Sequence, residues 1–237
     1  MEGKQRGANL EAALVATLKH RETQSTLRKL TTYPPDSIDF SSNDFISLAQ
    51  SSELRAAFLQ ELNAESTLFP LGSGGSRLLD GNSIYAENLE RDIATFHGAS
   101  AGLLCNSGFD ANVGLFSCIP QPGDVVIYDE YIHASVHDGM RASRVKHVVP
   151  FTHNSVSAFR EVLQKCIDTE EGFIKGTRNV FIAVEAIYSM DGDVAPLEAL
   201  VNAVEEMLPE GEDEKWEMDH RSPISRSGHG NCVRSNT

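Results

Sequence analysis

From residue 101 onward the chain alternates between short apolar runs and amphipathic stretches, and this alternation limits its folds more than any other feature. The apolar runs at 101–105, 125–128, 147–149 and 180–185 have the length and β-branched content of strands. Between them, helical spacing predicts helices beginning at Asp110 and Ala134 and covering 156–167. A last helix over 196–208 carries Leu197, Leu200, Val204 and Met207 on one face. Strands separated by whole helices cross over and run parallel, with the helices covering the sheet. The expected fold class is α/β, mainly a parallel sheet with flanking helices.

Upstream, Leu10, Leu14, Leu18 and Leu27 predict a helix over 10–30, ended by Pro34-Pro35, which cannot continue one. A short strand is expected at 38–40 and a helix at 52–62, with Leu54, Phe58 and Leu62 on one face. Residues 71–81 hold four glycines in eleven positions, which suits a loop. Helical spacing returns over 84–96 (Leu89, Ile93, Phe96), with Gly98 as its stop. Beyond Pro209, residues 209–237 are rich in Glu, Ser, Arg and Gly and have neither period, which predicts an atypical, disordered tail. The expected domains are an N-terminal helical arm (1–45), a large domain (46–208) and that tail.

The chain has 237 residues and is 41% hydrophobic, enough for a packed core. Its formal charge of −14 excludes nucleic acid and anionic membrane as partners, because counterion release needs a basic surface. Cys105, Cys118, Cys166 and Cys232 lack the close pairs of a zinc site, so free thiols in a reducing compartment are expected. No apolar run has signal-peptide or membrane-span length, so a cytoplasmic location is expected, with an organelle left open.

Three turns carry the chemistry. Asn106-Ser107-Gly108-Phe109 joins an expected strand to a helix, where free N–H groups and the helix dipole suit a phosphate. Ser-Gly is also common in such turns for purely structural reasons. Asp129-Glu-Tyr-Ile-His133-Ala-Ser135 follows the next strand, and a parallel sheet brings successive strand ends to one crevice. His133 could stack on a flat heteroaromatic ring, while His137 reads as structural. Glu185-Ala-Ile-Tyr-Ser189-Met-Asp191-Gly-Asp193 is the third turn, in which Asp191 or Asp193 could equally cap the following helix. No metal site is expected from these carboxylates.

Together with Phe40-Ser-Ser-Asn-Asp-Phe45 and Gly72-Ser-Gly-Gly-Ser-Arg77, these turns resemble the α-oxoamine synthases among the fold-type-I pyridoxal-phosphate enzymes. Within that family, Gly-Ser-Gly-Gly-Ser-Arg followed by Leu-Leu-Asp-Gly is most similar to the 8-amino-7-oxononanoate synthase branch. The resemblance runs from about Leu10 to about Met207 and implies part of an aspartate-aminotransferase-like large domain. It implies pyridoxal 5'-phosphate as cofactor and an acyltransferase condensing an alanine-like amino acid with an acyl-CoA or acyl-carrier thioester, with loss of CO₂, as in biotin-precursor synthesis. By position, Ser107, Gly108 and Phe109 would bind the phosphate, His133 would stack on the ring, and Ser189 would approach its phenolic oxygen. Glu185 would lie close by. Ser73 and Gly74 would lie near substrate at a homodimer interface, and Arg21 or Arg28 would meet a substrate carboxylate.

The sequence also departs from the family pattern, and only the departures near its end bear on the expected activity. Ala86 stands where the family usually has His. The Asp-Glu-Ala-His segment and the later Schiff-base lysine do not appear, and Asp219 in Met218-Asp219-His220 is a poor stand-in because no apolar strand precedes it. Lys215 comes too early to serve. The chain as written is expected to be an inactive fragment. The alternatives are a non-catalytic partner of an intact synthase chain and a related aminotransferase.

Overall fold

The computed structural model describes residues 2–34, 36–44, 46–64, 72–175 and 177–208, with side chains from Asn9 onward. They fall into two compact units, Met1–Leu71 and Gly72–Thr237. The expected tail at 209–237 lies outside the described residues.

The first unit holds α1 (Glu2–Thr23), a 3-10 turn at Leu48–Gln50 and α2 (Ser52–Ala64). α1 starts earlier than its apolar period suggested and stops well before Pro34. Ser25 takes a positive φ of 55°, Thr26 N–H donates to Arg21 O at 2.8 Å, and the Thr23 and Thr26 hydroxyls bond back to His20 and Arg21 carbonyls. Hydroxyl side chains compete with the helix for its own acceptors, and here they end it. Residues 38–40 form no strand. Asp39 Oδ1 accepts from Ser41 N and Ser42 N, both at 2.9 Å, in a turn that bends the chain instead. Leu10, Leu14, Leu18, Leu54 and Phe58 all remain exposed on this unit.

The second unit contains α3 (Ile84–His97), α4 (Gly108–Cys118), β1 (Val125–Asp129), α5 (Ala134–Ala142), β2 (His147–Phe151), α6 (Val156–Thr169), β3 (Val180–Ala183) and α7 (Leu197–Met207). The strands form one parallel sheet in the order β2-β1-β3, with Val125 opposite both His147 and Val180. β1 is central and buried on both faces, as its unbroken Val-Val-Ile run requires. Pro150 sits on β2, where its missing N–H can face away from the ladder.

Period-2 alternation divides the side chains between two layers. Val125, Ile127, Val180, Ile182 and Val184 pack with Phe159 and Leu163 of α6 and Leu200 and Val204 of α7. Val126, Phe181 and Ala183 pack on the other face with Phe116 of α4 and Val136 and Met140 of α5. Asp124 ties the strand starts together. Its Oδ1 accepts from Asn179 N at 2.9 Å and its Oδ2 from Gln121 N at 2.7 Å. Among the described residues no helix is long and apolar enough to cross a membrane.

The expected strand at 101–105 does not form. Its apolar residues find no neighbouring strand among the described residues, leaving Leu103 80% exposed. The segment lies against α3 instead, where Leu104 N donates to Glu90 Oε1 at 2.6 Å. A Cβ on Gly102 would come within 2.8 Å of Glu90 O, so only glycine permits the approach.

α4 and α5 meet at Gly139, where a Cβ would stand 2.8 Å from Phe116 Cβ and 3.1 Å from Asn112 O. Replacing Gly139 with Val is therefore expected to destabilise the second unit by about 1–3 kcal/mol. A urea titration measures this, and an unchanged midpoint would show that the two helices do not pack at this residue.

Candidate cofactor site

In a parallel sheet every strand ends at the same edge, and the polar turns of this protein collect there. β1 delivers Asp129, Tyr131 and His133; β2 delivers His153 and Asn154; β3 delivers Glu185, Tyr188 and Asp193. Ordered backbone fixes the turns. Glu130 N donates to Phe151 O, extending the ladder by one bond, and Glu130 Oε1 accepts from His153 N at 2.8 Å. The chain after β3 folds into a tight hairpin, with Tyr188 N donating to Asp193 O and Gly192 N to Tyr188 O. Gly192 turns it with φ of 73°.

Asp129 is fully buried and satisfied at both oxygens. Oδ1 accepts from Tyr131 N at 2.9 Å and lies 2.7 Å from His153 Nδ1, and Oδ2 accepts from Asn154 N at 2.9 Å. The other ring nitrogen, His153 Nε2, lies 2.7 Å from Asp193 Oδ2. Tyr131 stacks on the imidazole at 4.4 Å and Tyr188 meets it edge-on at 4.5 Å. Burial opposes the charge on His153, but its hydrogen bonds to the Asp129 and Asp193 carboxylates outweigh it and hold the pKa above its usual value. Burial pushes the Tyr188 hydroxyl well above its usual range, so it stays a neutral phenol.

A second group forms around His133. Its backbone N–H donates to Glu185 Oε1 at 2.7 Å, its Nδ1 accepts from Ser135 N at 3.2 Å, and Ser135 Oγ accepts from Asn112 Nδ2 at 2.9 Å. That last bond joins the first turn of α5 to α4. Phe109 lies edge-on to His133, with ring centroids 6.1 Å apart. Helix α4 therefore brings its N-terminus to the same edge. Ser107 caps it by accepting from Asp110 N at 3.0 Å, and Ala111 N bonds to Ser107 O. The N–H groups of Gly108 and Phe109 have no partner among the described residues, and a Cβ on Gly108 would meet nothing within 4 Å. Two free donors at the positive end of a helix dipole, opening on empty space, fit a phosphate.

Ser107, Gly108, Phe109, His133 and Glu185 are thus brought together as the sequence suggested. Ser189 is exposed on the hairpin after β3 and makes no side-chain hydrogen bond among the described residues. Ser73 and Gly74 lie in a separate loop. Ser73 Oγ donates to Gly81 O at 2.8 Å, and Arg77 closes the loop onto Glu90 of α3 at 2.5 and 3.0 Å. Gly81 is obligatory there, since a Cβ would overlap Gly75 O at 1.9 Å. Arg21 stands in the last turn of α1, in the other unit, and Asp219 lies outside the described residues. Of the second unit's described lysines, Lys146 precedes β2, Lys165 is late in α6 and Lys175 follows it, so none reaches the carboxyl edge.

His153 and Asp129 escaped the reading of the residues. The available signal was Phe151-Thr-His153-Asn154 directly after an apolar run, a third strand end to which the same crevice argument applies.

A parallel α/β sheet carrying a helix N-terminus, an imidazole and a buried carboxylate at its carboxyl edge is an architecture with room and donors for a phosphorylated ligand. Residues 35–207 match the aminotransferase class I and II family, and the chain belongs to it; the family is pyridoxal-phosphate-dependent. The chain is 55% identical over 202 residues to the 8-amino-7-oxononanoate synthase of Emericella nidulans, covering 85% of this chain and 49% of that protein. Among solved structures, the serine palmitoyltransferase of Sphingomonas wittichii matches with a TM-score of 0.56 at 29% identity, covering 67% of this chain and 36% of that one. A serine palmitoyltransferase solved with pyridoxal phosphate gives a TM-score of 0.56 at 28% identity, with the same coverage of each chain. Both kinds of relative are α-oxoamine synthases, the branch the motifs resemble. The chain spans about half the length of the curated relatives it matches.

Glu90 gives the glycine-rich loop a pH dependence. The Arg77 hydrogen bonds, then the Leu104 amide, pull its pKa from 4.5 to about 2. A depressed carboxylate stabilises the fold above its unfolded pKa and loses that contribution as pH falls through its folded one. The loop is therefore expected to hold α3 above about pH 4.5 and to loosen between there and about 2. Carboxyl-carbon NMR should place the Glu90 midpoint near the lower value and Arg77→Gln should raise it, whereas a midpoint near 4.5 in the unaltered chain would contradict the pairing.

Proposed function

We propose that the carboxyl edge of this sheet binds pyridoxal phosphate and serves an acyltransferase. The reaction joins an alanine-like amino acid to an acyl-CoA or acyl-carrier thioester with loss of CO₂, as in the formation of a biotin precursor. The observation that carries this is the pair of free N–H groups on Gly108 and Phe109, set on the same edge as His133 and Glu185. When bound, the cofactor would supply an electron sink for charge building on the α-carbon of the amino acid.

The residues of this chain have simpler tasks. Gly108 and Phe109 would take the phosphate oxygens on backbone donors, which need no reorganisation when the ligand arrives. Asp110, whose Oδ2 accepts from Ser107 Oγ, is held on the cap and turned to its own helix. His133 would cover one face of the ring, its orientation set by the Ser135 amide and the Asn112-Ser135 bond. Glu185 fixes the height of the His133 backbone from β3. Ser73, Gly74 and Arg21 are proposed to meet substrate, and the working form is proposed to be a homodimer in the cytoplasm.

Binding of pyridoxamine phosphate tests this, because that analogue has no aldehyde to react with surface lysines. It should bind at least about tenfold tighter than pyridoxamine, a difference of roughly 1.4 kcal/mol. Gly108→Asp places a carboxylate in open space in the first turn, which a helix accepts and a phosphate does not. This variant should lose the preference for the phosphorylated ligand while unfolding at the same urea concentration. Equal binding of the two ligands by the unaltered chain would overturn the proposal.

A further inference from the structure

The two carboxylate contacts of His153 favour its protonated form. Nδ1 faces Asp129 Oδ1 and Nε2 faces Asp193 Oδ2, each at 2.7 Å. A neutral imidazole has one N–H and one lone pair, so either tautomer would aim a lone pair at a carboxylate oxygen. Only the imidazolium donates to both. Asn154 repeats the bridge with a different set of atoms. In a left-handed conformation with φ of 53°, its backbone N–H donates to Asp129 Oδ2 and its side-chain amide donates to Asp193 Oδ2 at 2.5 Å. Asparagine is among the few residues that adopt this conformation without large strain.

Asp193 belongs to the hairpin that carries Ser189, and Asp129 ends the central strand. The backbone of the hairpin closes on itself through Tyr188, Gly192 and Asp193. Its arms are also joined by the Ala195 N to Ala186 O bond, while Tyr188 packs against the imidazole edge and its Oη accepts from Glu185 N at 3.4 Å. The groups facing His153 are Asp129, Glu130 and Tyr131 from the β1 turn, Tyr188 and Asp193 from the hairpin, and Asn154 from its own turn. The charged groups among them are all acidic.

We infer that His153 is a positioning residue: protonated on both ring nitrogens, it clamps the Ser189-bearing hairpin to the end of the central strand. Its consequence for a cofactor rests on the proposed function above, while the clamp itself does not. A histidine whose pKa is raised by folding stabilises fully below its unfolded value, near 6.5, and loses that contribution as pH rises through the folded value. Above that pH one nitrogen loses its proton, one carboxylate keeps its Asn154 donor but loses the charged one, and the hairpin loosens.

The experiment is amide exchange at Tyr188 and Gly192 in the 237-residue chain, corrected for the intrinsic pH dependence of exchange, beside an NMR titration of the His153 ring. The ring should titrate above 6.5, and protection of both amides should fall about tenfold or more across the same midpoint. Asp193→Asn should lower the midpoint and carry the loss of protection with it, which a passive packing role would not do. Ring titration with no change in protection would overturn the inference, and the unaltered chain alone decides this if the variant does not fold. Pyridoxamine phosphate added at both ends of the titration separates the two proposals. Failure to bind at either pH would sink the cofactor site, while the exchange data would still decide the clamp.

Discussion

The carboxylate of Asp129 ends the central strand with no surface exposed to water, and three donors from two different turns converge on it. A buried anion survives only when its lone pairs are filled, so this one residue dictates where the turns after β1 and β2 must lie. Through His153 it reaches a third turn, the hairpin after β3. The carboxyl edge is thereby a tied set of turns. Apolar anchors such as Ile132 and Tyr188 bury beside that tie and help to order the turns.

Packing brings helix α4 to the same edge. Its N-terminus reaches there because Gly139 lets α5 approach the α4 backbone, and because Asn112 and Ser135 lock the two helices near their starts. The free donors of Gly108 and Phe109 are a consequence of that placement combined with the Ser107 cap, which satisfies Asp110 N and leaves the first two amides open. The energetics of the fold and the chemistry of the site share these residues. A change that separates α4 from α5 is expected to remove the proposed phosphate cradle without touching it.

Much of this was legible in the residues. Unbroken apolar runs such as Val125-Val-Ile-Tyr announced buried parallel strands, and Gly98 marked a helix stop that the structure realises with φ of 69°. His133 and Glu185 meet at the strand ends as expected, whereas Ser107 to Phe109 reach that edge by the packing of α4 and not by a strand of their own. Residues 101–105 misled because a strand is made by its neighbours, and apolar content alone cannot report whether a neighbour is present. The early end of α1 was hidden in hydroxyls that look innocuous in a polar stretch. His153 was missed for a different reason: a clamp between two carboxylates distant in sequence leaves no local pattern, and only the strand order β2-β1-β3 brings Asp129, His153 and Asp193 together.

The chain belongs to the aminotransferase class I and II family and covers about half the length of its curated relatives. The central claim is that the phosphate of the cofactor sits on Gly108 and Phe109. The most direct measurement is an amide proton–nitrogen NMR spectrum of the chain titrated with pyridoxamine phosphate. We expect the Gly108 and Phe109 amides to move saturably downfield, as donors to an anion do, with smaller shifts at His133. Shifts confined to other helix starts, or none at these two amides at saturating ligand, would contradict the account.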